Sequence, residues 1–129
     1  MRAMVCESLG PPSSLVLREL PDPPDPGPGE IKVAIAARGV QFVDVLMVAG
    51  EYQTKPPLPF VPGGEGAGTV IAVGAGVTDF KEGDAVMTRH PPGAYAEMGT
   101  IAADAALPVP AGLSLEQAAG FRSAYTTAY

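Results

Sequence analysis

The side chains that could do chemistry in this chain are few and far apart in the sequence. Its 129 residues include one cysteine, Cys6, and one histidine, His90. A zinc site needs three or four Cys, His or carboxylate ligands at suitable spacing, and no second soft ligand lies near either residue in the sequence. We therefore expect no bound metal. We expect Cys6 to be a core residue of a strand, and His90 to be a loop residue rather than an acid or base.

A glycine-rich block, residues 62–70, surrounds a single acidic residue, Glu65. Glycine allows close backbone approach and positive φ angles that larger side chains forbid. Neither the run from Gly64 (G-E-G-A-G-T) nor residues 74–76 (G-A-G) match the G-x-G-x-x-G pattern of dinucleotide-binding folds, and neither precedes a long helix. We interpret these glycines as architectural, shaping a loop that meets a bound ligand or another domain. We expect no dinucleotide-binding domain in this chain.

The composition is typical of one mainly β domain. Hydrophobic residues make up 47% of the chain, and 16 glycines and 15 prolines are too many for a helical bundle. The net charge of −6 and the scattered basic residues argue against nucleic acid or an anionic membrane as a partner. The first residues alternate like a strand and not like a signal peptide, and no apolar run approaches the roughly 20 residues of a membrane helix. We expect a soluble, cytoplasmic protein.

Alternating apolar residues predict a series of short strands. The clearest strand covers residues 30–40, which have the period of two that is typical of a half-buried antiparallel strand. Its apolar face carries Ile31, Val33, Ile35 and Ala37. Further strands are predicted at residues 1–7, 15–20, 69–73, 85–88, 94–98 and 106–109. Their number and spacing are typical of a barrel.

Two helices interrupt this pattern. Residues 42–49 are nearly all apolar, and Gly50 supplies a stop for a short buried helix, with Tyr52 on the loop beyond it. Ser114, followed three residues later by Gln117, forms a capping-box pattern that opens a second helix. These helices are the two exceptions in an otherwise strand-rich sequence.

Six blocks, which occur in order between residues 39 and 129, carry a family resemblance. They are residues 39–46 (GVQFVDVL), 50–52 (GEY), 62–68 (PGGEGAG), 83–86 (GDAV), 93–97 (GAYAE) and 127–129 (TAY). Together they resemble the zinc-independent quinone oxidoreductase (zeta-crystallin-like) branch of the medium-chain dehydrogenase/reductase superfamily. The resemblance implies that residues 1–129 are an incomplete N-terminal catalytic domain, a GroES-like, partly open β-barrel with short helices. It also implies a Rossmann domain absent from this chain, toward which the helix from about residue 114 would lead.

The resemblance separates this chain from the zinc-dependent members of the superfamily. Zinc alcohol dehydrogenases carry Cys where Gln41 stands and His where Gly64 stands, so both ligand positions are lost. The loop at residues 88–93 is also too short for their four-cysteine lobe. Glu65 keeps the family's acid, which we interpret as a hydrogen-bonded structural carboxylate rather than a proton donor.

The resemblance further implies roles for individual side chains. Most members of the branch carry Asn at the position of Gln41, close to the nicotinamide ribose and carboxamide. Gln keeps the amide but adds a methylene, which changes its reach. Gln41 and Thr127 would hold the nicotinamide end of the cofactor. Tyr52 would polarise or protonate the acceptor, with a packing aromatic as the alternative. Leu46 and Tyr52 would line the substrate pocket, Leu46 otherwise being a wall of the core, and Asp44 would organise the helix and loop.

The function implied is that of an NADPH-dependent oxidoreductase that transfers hydride to a quinone or similar conjugated carbonyl without zinc. NADPH would be bound mainly by the absent Rossmann domain, so we expect the fragment alone to be inactive and the full-length protein to be a homodimer. One alternative is an enoyl or alkenal double-bond reductase of the same superfamily. Another, from a different class, is a non-enzymatic GroES-like interaction module.

Overall fold

The computed structural model describes residues 1–121 and is built mainly from strands. The strands are β1 (Arg2–Val5), β2 (Val16–Glu19), β3 (Glu30–Arg38), β4 (Glu65–Val73), β5 (Ala85–Arg89), β6 (Met98–Ala102) and β7 (Ala106–Pro108). The helices are α1 (Phe42–Ala49) and α2 (Leu115–Ala119), with 3-10 turns at Pro12–Ser14 and Ala103–Ala105.

Five antiparallel strands form the main sheet in the order β6-β3-β4-β5-β7, while β1 and β2 pair separately. The strands at the two ends of the main sheet, β6 and β7, do not pair with each other within residues 1–121. An isolated bridge between Ala3 and Ala96 joins the small sheet to the segment before β6. The mainly β, partly open architecture expected from the sequence is therefore confirmed.

The core of the main sheet follows the alternation seen in the sequence of β3. Ile31 and Val33 are fully buried and Ile35 is 6% exposed, so the predicted apolar face is confirmed. These side chains pack against Val70 of β4, Val86 of β5 and Ile101 of β6, among others. Burying a side chain of this size contributes roughly 1.5–3 kcal/mol, so this sheet core, which we define as Ile31, Val33, Ile35, Val70, Val86 and Ile101, supplies much of the stability.

The strand predicted at residues 94–98 is wrong. These residues are irregular apart from the bridge at Ala96, and the strand begins only at Met98. The Tyr95 carbonyl accepts from the N–H of Met4 and the Glu97 carbonyl from that of Ile35, which lie on two different strands, so no continuous ladder forms. The Arg38 guanidinium holds the carbonyls between them, donating from Nε to Ala94 at 2.9 Å and from Nη2 to Ala96 at 3.2 Å.

The glycine-rich block is a loop only in its first part. Gly63 has a φ of 103° before the strand starts, but β4 begins at Glu65 instead of residue 69 and includes Gly66 and Gly68. A Cβ on Gly68 would lie 2.8 Å from the carbonyl carbon of Ala34 on β3. Glycine is therefore needed there because the backbones of two paired strands approach closely.

Both predicted helices are present, but α1 is less buried than expected: only Asp44 and Val48 are buried in it, and Phe42 is 75% exposed. Helix α1 ends at Gly50, whose φ of 77° is left-handed and whose N–H caps the last turn. Helix α2 starts after Ser114, whose Oγ accepts from the N–H of Gln117 at 3.1 Å, while Gln117 Oε1 accepts from the Ser114 N–H at 3.0 Å. Within residues 1–121, none of the helices has the length and apolar character needed to span a membrane.

Candidate functional site

The turn from β3 into α1 and the first residue of β4 bring Gln41, Asp44 and Glu65 together. Gln41 is the N-cap of α1, with an extended backbone at φ −112°. Its main-chain N–H donates to Asp44 Oδ2 at 2.9 Å, and the Asp44 N–H donates to the Gln41 carbonyl at 3.0 Å. These bonds satisfy main-chain groups at a helix start, so they fix the backbone of Gln41.

The side chain of Gln41 is held by a second carboxylate. Its Nε2 donates to Oε1 of Glu65, which is only 3% exposed. The carboxylate lies directly against Gly39, where a Cβ would approach Cγ and Cδ of Glu65 to 2.9 Å. Glycine at position 39 thus leaves room for the Glu65 side chain beneath the turn. The N–H of Gly39 also donates to the main-chain carbonyl of Glu65 at 3.2 Å. This hydrogen bonding is consistent with the structural role expected for Glu65.

Tyr95 completes the group. Its hydroxyl donates to Asp44 Oδ2 at 3.1 Å, across 51 residues of sequence, and Asp44 is only 4% exposed. Burial and the negative charge of Asp44 raise the pKa of Tyr95 far above its ordinary value. Asp44 therefore connects α1 to the segment before β6, the organising role expected from the sequence. We call Gln41, Asp44, Glu65 and Tyr95 the Gln41 cluster.

The surroundings of the cluster are apolar and open to solvent. Val40 and Phe42, on either side of Gln41, are 74% and 75% exposed. A pocket of about 250 Å³ adjoins the cluster and is lined by Pro12, Leu15, Val40, Asp44, Val45, Val48 and Tyr95. Gln41 is therefore a half-buried amide within an exposed apolar surface, the kind of environment in which one polar group can orient a ligand.

Within residues 1–121, no side-chain hydrogen bond joins Leu46 or Tyr52 to this cluster. Leu46 is half-buried on α1, and its carbonyl accepts from the N–H of Glu51 at 2.9 Å. Tyr52 is half-buried on the bend that follows Gly50, and no hydrogen bond within residues 1–121 joins it to Gln41. Thr127 lies outside the described residues. The roles assigned to Leu46, Tyr52, Gln41 and Thr127 stay predictions.

Tyr95 is the residue of this region that sequence reasoning missed. It lies in residues 94–98, for which the sequence predicts a strand and identifies no side-chain partner. The signal available was a tyrosine between small residues, since a buried tyrosine hydroxyl usually needs a hydrogen-bond partner. The identity of that partner, Asp44, depends on a contact that no local pattern specifies.

His90 follows β5 as expected for a loop residue, but it is buried, at 7% exposure. Its Nε2 lies 2.8 Å from Oγ1 of Thr88. Burial, together with the charge of Arg38, lowers the pKa of His90 to about 4. The ring is therefore neutral at pH 7 and is a structural partner of Thr88.

Two further expectations concern metals and thiols. Among the residues that the structure describes, no group of three or more His, Cys, Asp or Glu side chains could hold a metal ion. Cys6 is fully buried and pairs with Phe60 through an isolated bridge; burial raises the pKa of its thiol. Cys6 is thus a core residue, as expected.

Residues 27–111 match the family model described as the alcohol dehydrogenase GroES-like domain. Over 130 aligned residues the chain is 39% identical to the human synaptic vesicle membrane protein VAT-1 homolog, covering 100% of the chain and 33% of that protein. It is 38% identical to the quinone oxidoreductase-like protein 2 homolog of Nematostella vectensis, covering 99% of the chain and 35% of that protein. The chain therefore spans about a third of the length of these curated relatives.

A solved structure is similar to this chain in fold as well as in sequence. The quinone oxidoreductase of Escherichia coli, crystallised in complex with NADPH, superposes with a TM-score of 0.86 and 38% sequence identity. The match covers 92% of this chain and 36% of that protein.

Proposed function

We propose that this chain, which belongs to the alcohol dehydrogenase GroES-like domain family, is the catalytic-domain portion of an NADPH-dependent oxidoreductase that works without zinc. One observation carries the proposal: the likeness over 92% of the chain to a quinone oxidoreductase solved with NADPH. The chain spans only 36% of that protein, so the nucleotide would be held mainly by a Rossmann domain outside residues 1–129.

The residues of the Gln41 cluster fit the nicotinamide end of such a cofactor. The Gln41 amide is half-buried at the start of α1 and can both donate and accept hydrogen bonds. Exposed Val40 and Phe42 provide apolar surface that a planar ring could cover, excluding water from the site. We propose that Gln41 orients this end of the cofactor, together with Thr127. Bound NADPH would supply the hydride.

Tyr52 and Leu46 are proposed to line the pocket for the acceptor. A phenol can donate a hydrogen bond to a carbonyl oxygen and pass a proton to it as the hydride arrives. Leu46 would contribute apolar wall. The acceptor proposed is a quinone or a similar conjugated carbonyl, which gains one hydride and one proton in the reaction.

The lack of zinc in this proposal rests on the residue types at two positions. Position 41 carries an amide and position 64 carries no side chain, where the zinc enzymes of the superfamily carry Cys and His. In the structure, a Cβ on Gly64 would lie 4.0 Å from Asp44 Oδ1, so position 64 adjoins the Gln41 cluster. An amide and a glycine provide none of the thiolate or imidazole ligands that zinc prefers.

The experiment uses the polypeptide expressed with all coding sequence that follows Tyr129 in its gene. NADPH oxidation is followed with 1,4-benzoquinone and, separately, with a 2-enal and a 2-enoyl thioester. Faster oxidation with the quinone supports the proposal. Preference for the enal or thioester would instead identify a double-bond reductase, and no oxidation with any acceptor would leave the GroES-like interaction module.

The role of Tyr52 is tested in the same protein with Tyr52→Phe. Because proton donation in the transition state contributes a factor of about 10² or more, we expect turnover to fall at least about tenfold while the KM for NADPH stays within about twofold. Steady-state kinetics measure both constants. Unchanged turnover would contradict the assigned role.

A further inference from the structure

We propose that Glu65 decides which end of the Gln41 amide faces the cofactor, so that Gln41 presents its carbonyl oxygen and selects a nicotinamide that carries an N–H donor. The inference rests on the proposed function, because the ligand is the cofactor named there. Glu65 is a positioning residue in this scheme, since it acts through Gln41.

The polarity of the amide follows from its partner. A carboxylate has only acceptor atoms, and the structure places Nε2 of Gln41 as the donor to Oε1 of Glu65. The nitrogen end is thereby turned toward the buried acid, and the oxygen is the end of the amide that the carboxylate does not hold. The capping box of α1 also directs the Gln41 side chain toward the Asp44 N–H, and because an amide oxygen has two lone pairs it can accept from a ligand in addition.

The frame around the amide is built to resist reorientation. Glu65 is 3% exposed and packed against Gly39, so its carboxylate has little room to move. The backbone of Gln41 is held by Asp44, which in turn is held by Tyr95. Buried carboxylates therefore hold both the backbone N–H and the side-chain nitrogen of Gln41. The two residues next to Gln41 in the sequence, Val40 and Phe42, have exposed side chains.

This arrangement predicts a chemical preference. The carboxamide of nicotinamide carries an NH₂ group, which can donate to Gln41 Oε1. An acetyl group in its place has the carbonyl but no donor, and would bring two acceptor oxygens together or leave the Gln41 oxygen unpaired. A single neutral hydrogen bond of this kind corresponds to roughly a fivefold difference in affinity.

The test compares binding of NADP⁺ with binding of its 3-acetylpyridine analogue to the full-length protein by isothermal titration calorimetry. We expect the unsubstituted protein to bind NADP⁺ about fivefold more tightly. In Glu65→Gln the ratio should fall below about twofold, because a neutral amide at position 65 can donate or accept and lets Gln41 adopt either orientation. A merely structural role for Glu65 would weaken both ligands equally and leave the ratio unchanged.

Two further variants make the comparison specific. Glu97→Gln removes one negative charge from a carboxylate that is 46% exposed and paired with Arg2, and should keep the fivefold ratio. Gln41→Met removes the amide at similar size and should abolish the preference; if Glu65→Gln fails to fold, a preference retained in Gln41→Met would still contradict the inference. Adding Glu65→Gln to Gln41→Met should change the ratio no further.

The outcomes separate the inference from the proposed function. A fivefold preference retained in Glu65→Gln or in Gln41→Met overturns the inference, and so does equal affinity for the two ligands in an unsubstituted protein that oxidises NADPH. Absence of both cofactor binding and NADPH oxidation overturns the proposed function, and the inference with it.

Discussion

Two buried regions of this small domain are held together in opposite ways. The sheet core has apolar side chains that are 0–6% exposed, from four antiparallel strands. The Gln41 cluster buries two carboxylates almost as deeply, with Asp44 at 4% and Glu65 at 3% exposure. Burial stabilises the first region, because apolar surface leaves water. Burial of the second is unfavourable unless each polar group finds a partner.

The difference shows how stability and orientation are divided in this fold. Apolar contacts have no direction, so the sheet core stabilises the domain without fixing any one polar group. Hydrogen bonds in a buried network are directional and depend on every member. The Gln41 cluster is therefore the region where single changes should alter orientation more than overall stability.

The largest loss of folding stability is expected in the sheet core, from Ile31→Ala. Ile31 is fully buried in the sheet core, so truncation should lower the free energy of unfolding by about 3–4 kcal/mol through lost burial and a cavity. The matched control is Ile71→Ala on β4, because Ile71 is 39% exposed; it should cost less than about 1 kcal/mol. Urea unfolding measures both variants. Equal losses would show that burial in the sheet does not dominate stability.

A somewhat smaller effect should come from His90, a buried polar residue at the edge of the sheet core. Burial lowers its pKa in the folded protein to about 4 from an ordinary value of 6.5. As the pH falls through this window, the unfolded chain binds a proton and the folded one does not. His90 therefore makes stability fall by about 2–3 kcal/mol from pH 6.5 to pH 4, with no loss above pH 6.5.

The measurement for His90 is the free energy of unfolding of the unsubstituted chain and of His90→Gln at several pH values. The difference between the two should change across this window, since carboxylates that titrate in the same range are common to both proteins. A difference that is constant from pH 4 to pH 7 would contradict the buried, neutral state of the ring.

The smallest effect is expected from Tyr95→Phe, which removes only the hydroxyl that donates to Asp44. One hydrogen bond of this kind should be worth about 1–2 kcal/mol, because its acceptor is a buried carboxylate. Tyr52→Phe is the control, as Tyr52 makes no hydrogen bond within residues 1–121, and should change stability by less than about 0.5 kcal/mol. Chemical unfolding compares them; equal effects would mean that the Tyr95–Asp44 bond contributes nothing.

The fold was largely predictable from local patterns. The alternation of β3, the stop at Gly50 and the capping box at Ser114 each express a preference that acts over a few residues. The sequence predicts a loop at the glycines of β4, whereas Gly68 allows the close approach of β3, which is a tertiary contact that no local pattern specifies. The strand prediction for residues 94–98 is wrong for a similar reason, because the partners of this segment, Arg38 among them, lie far away in the sequence, 56 and 58 residues from Ala94 and Ala96.

The candidate site was predictable in composition but not in connectivity. Gln41, Asp44 and Glu65 could be singled out by residue type and by the family resemblance. The atoms that form hydrogen bonds could not be predicted, because the bond from Gln41 to Glu65 spans 24 residues and that from Tyr95 to Asp44 spans 51. Such contacts depend on how β4 and the segment before β6 pack against α1.

The central proposal is that the full-length protein is an NADPH-dependent reductase that needs no metal. The rate of NADPH oxidation tests it most directly. NADPH oxidation with 1,4-benzoquinone is measured for the full-length protein before and after dialysis against a zinc chelator. We expect the same rate in both samples, because the amide at position 41 and the glycine at position 64 supply no thiolate or imidazole ligand for zinc. A rate abolished by the chelator and restored by added zinc would contradict it.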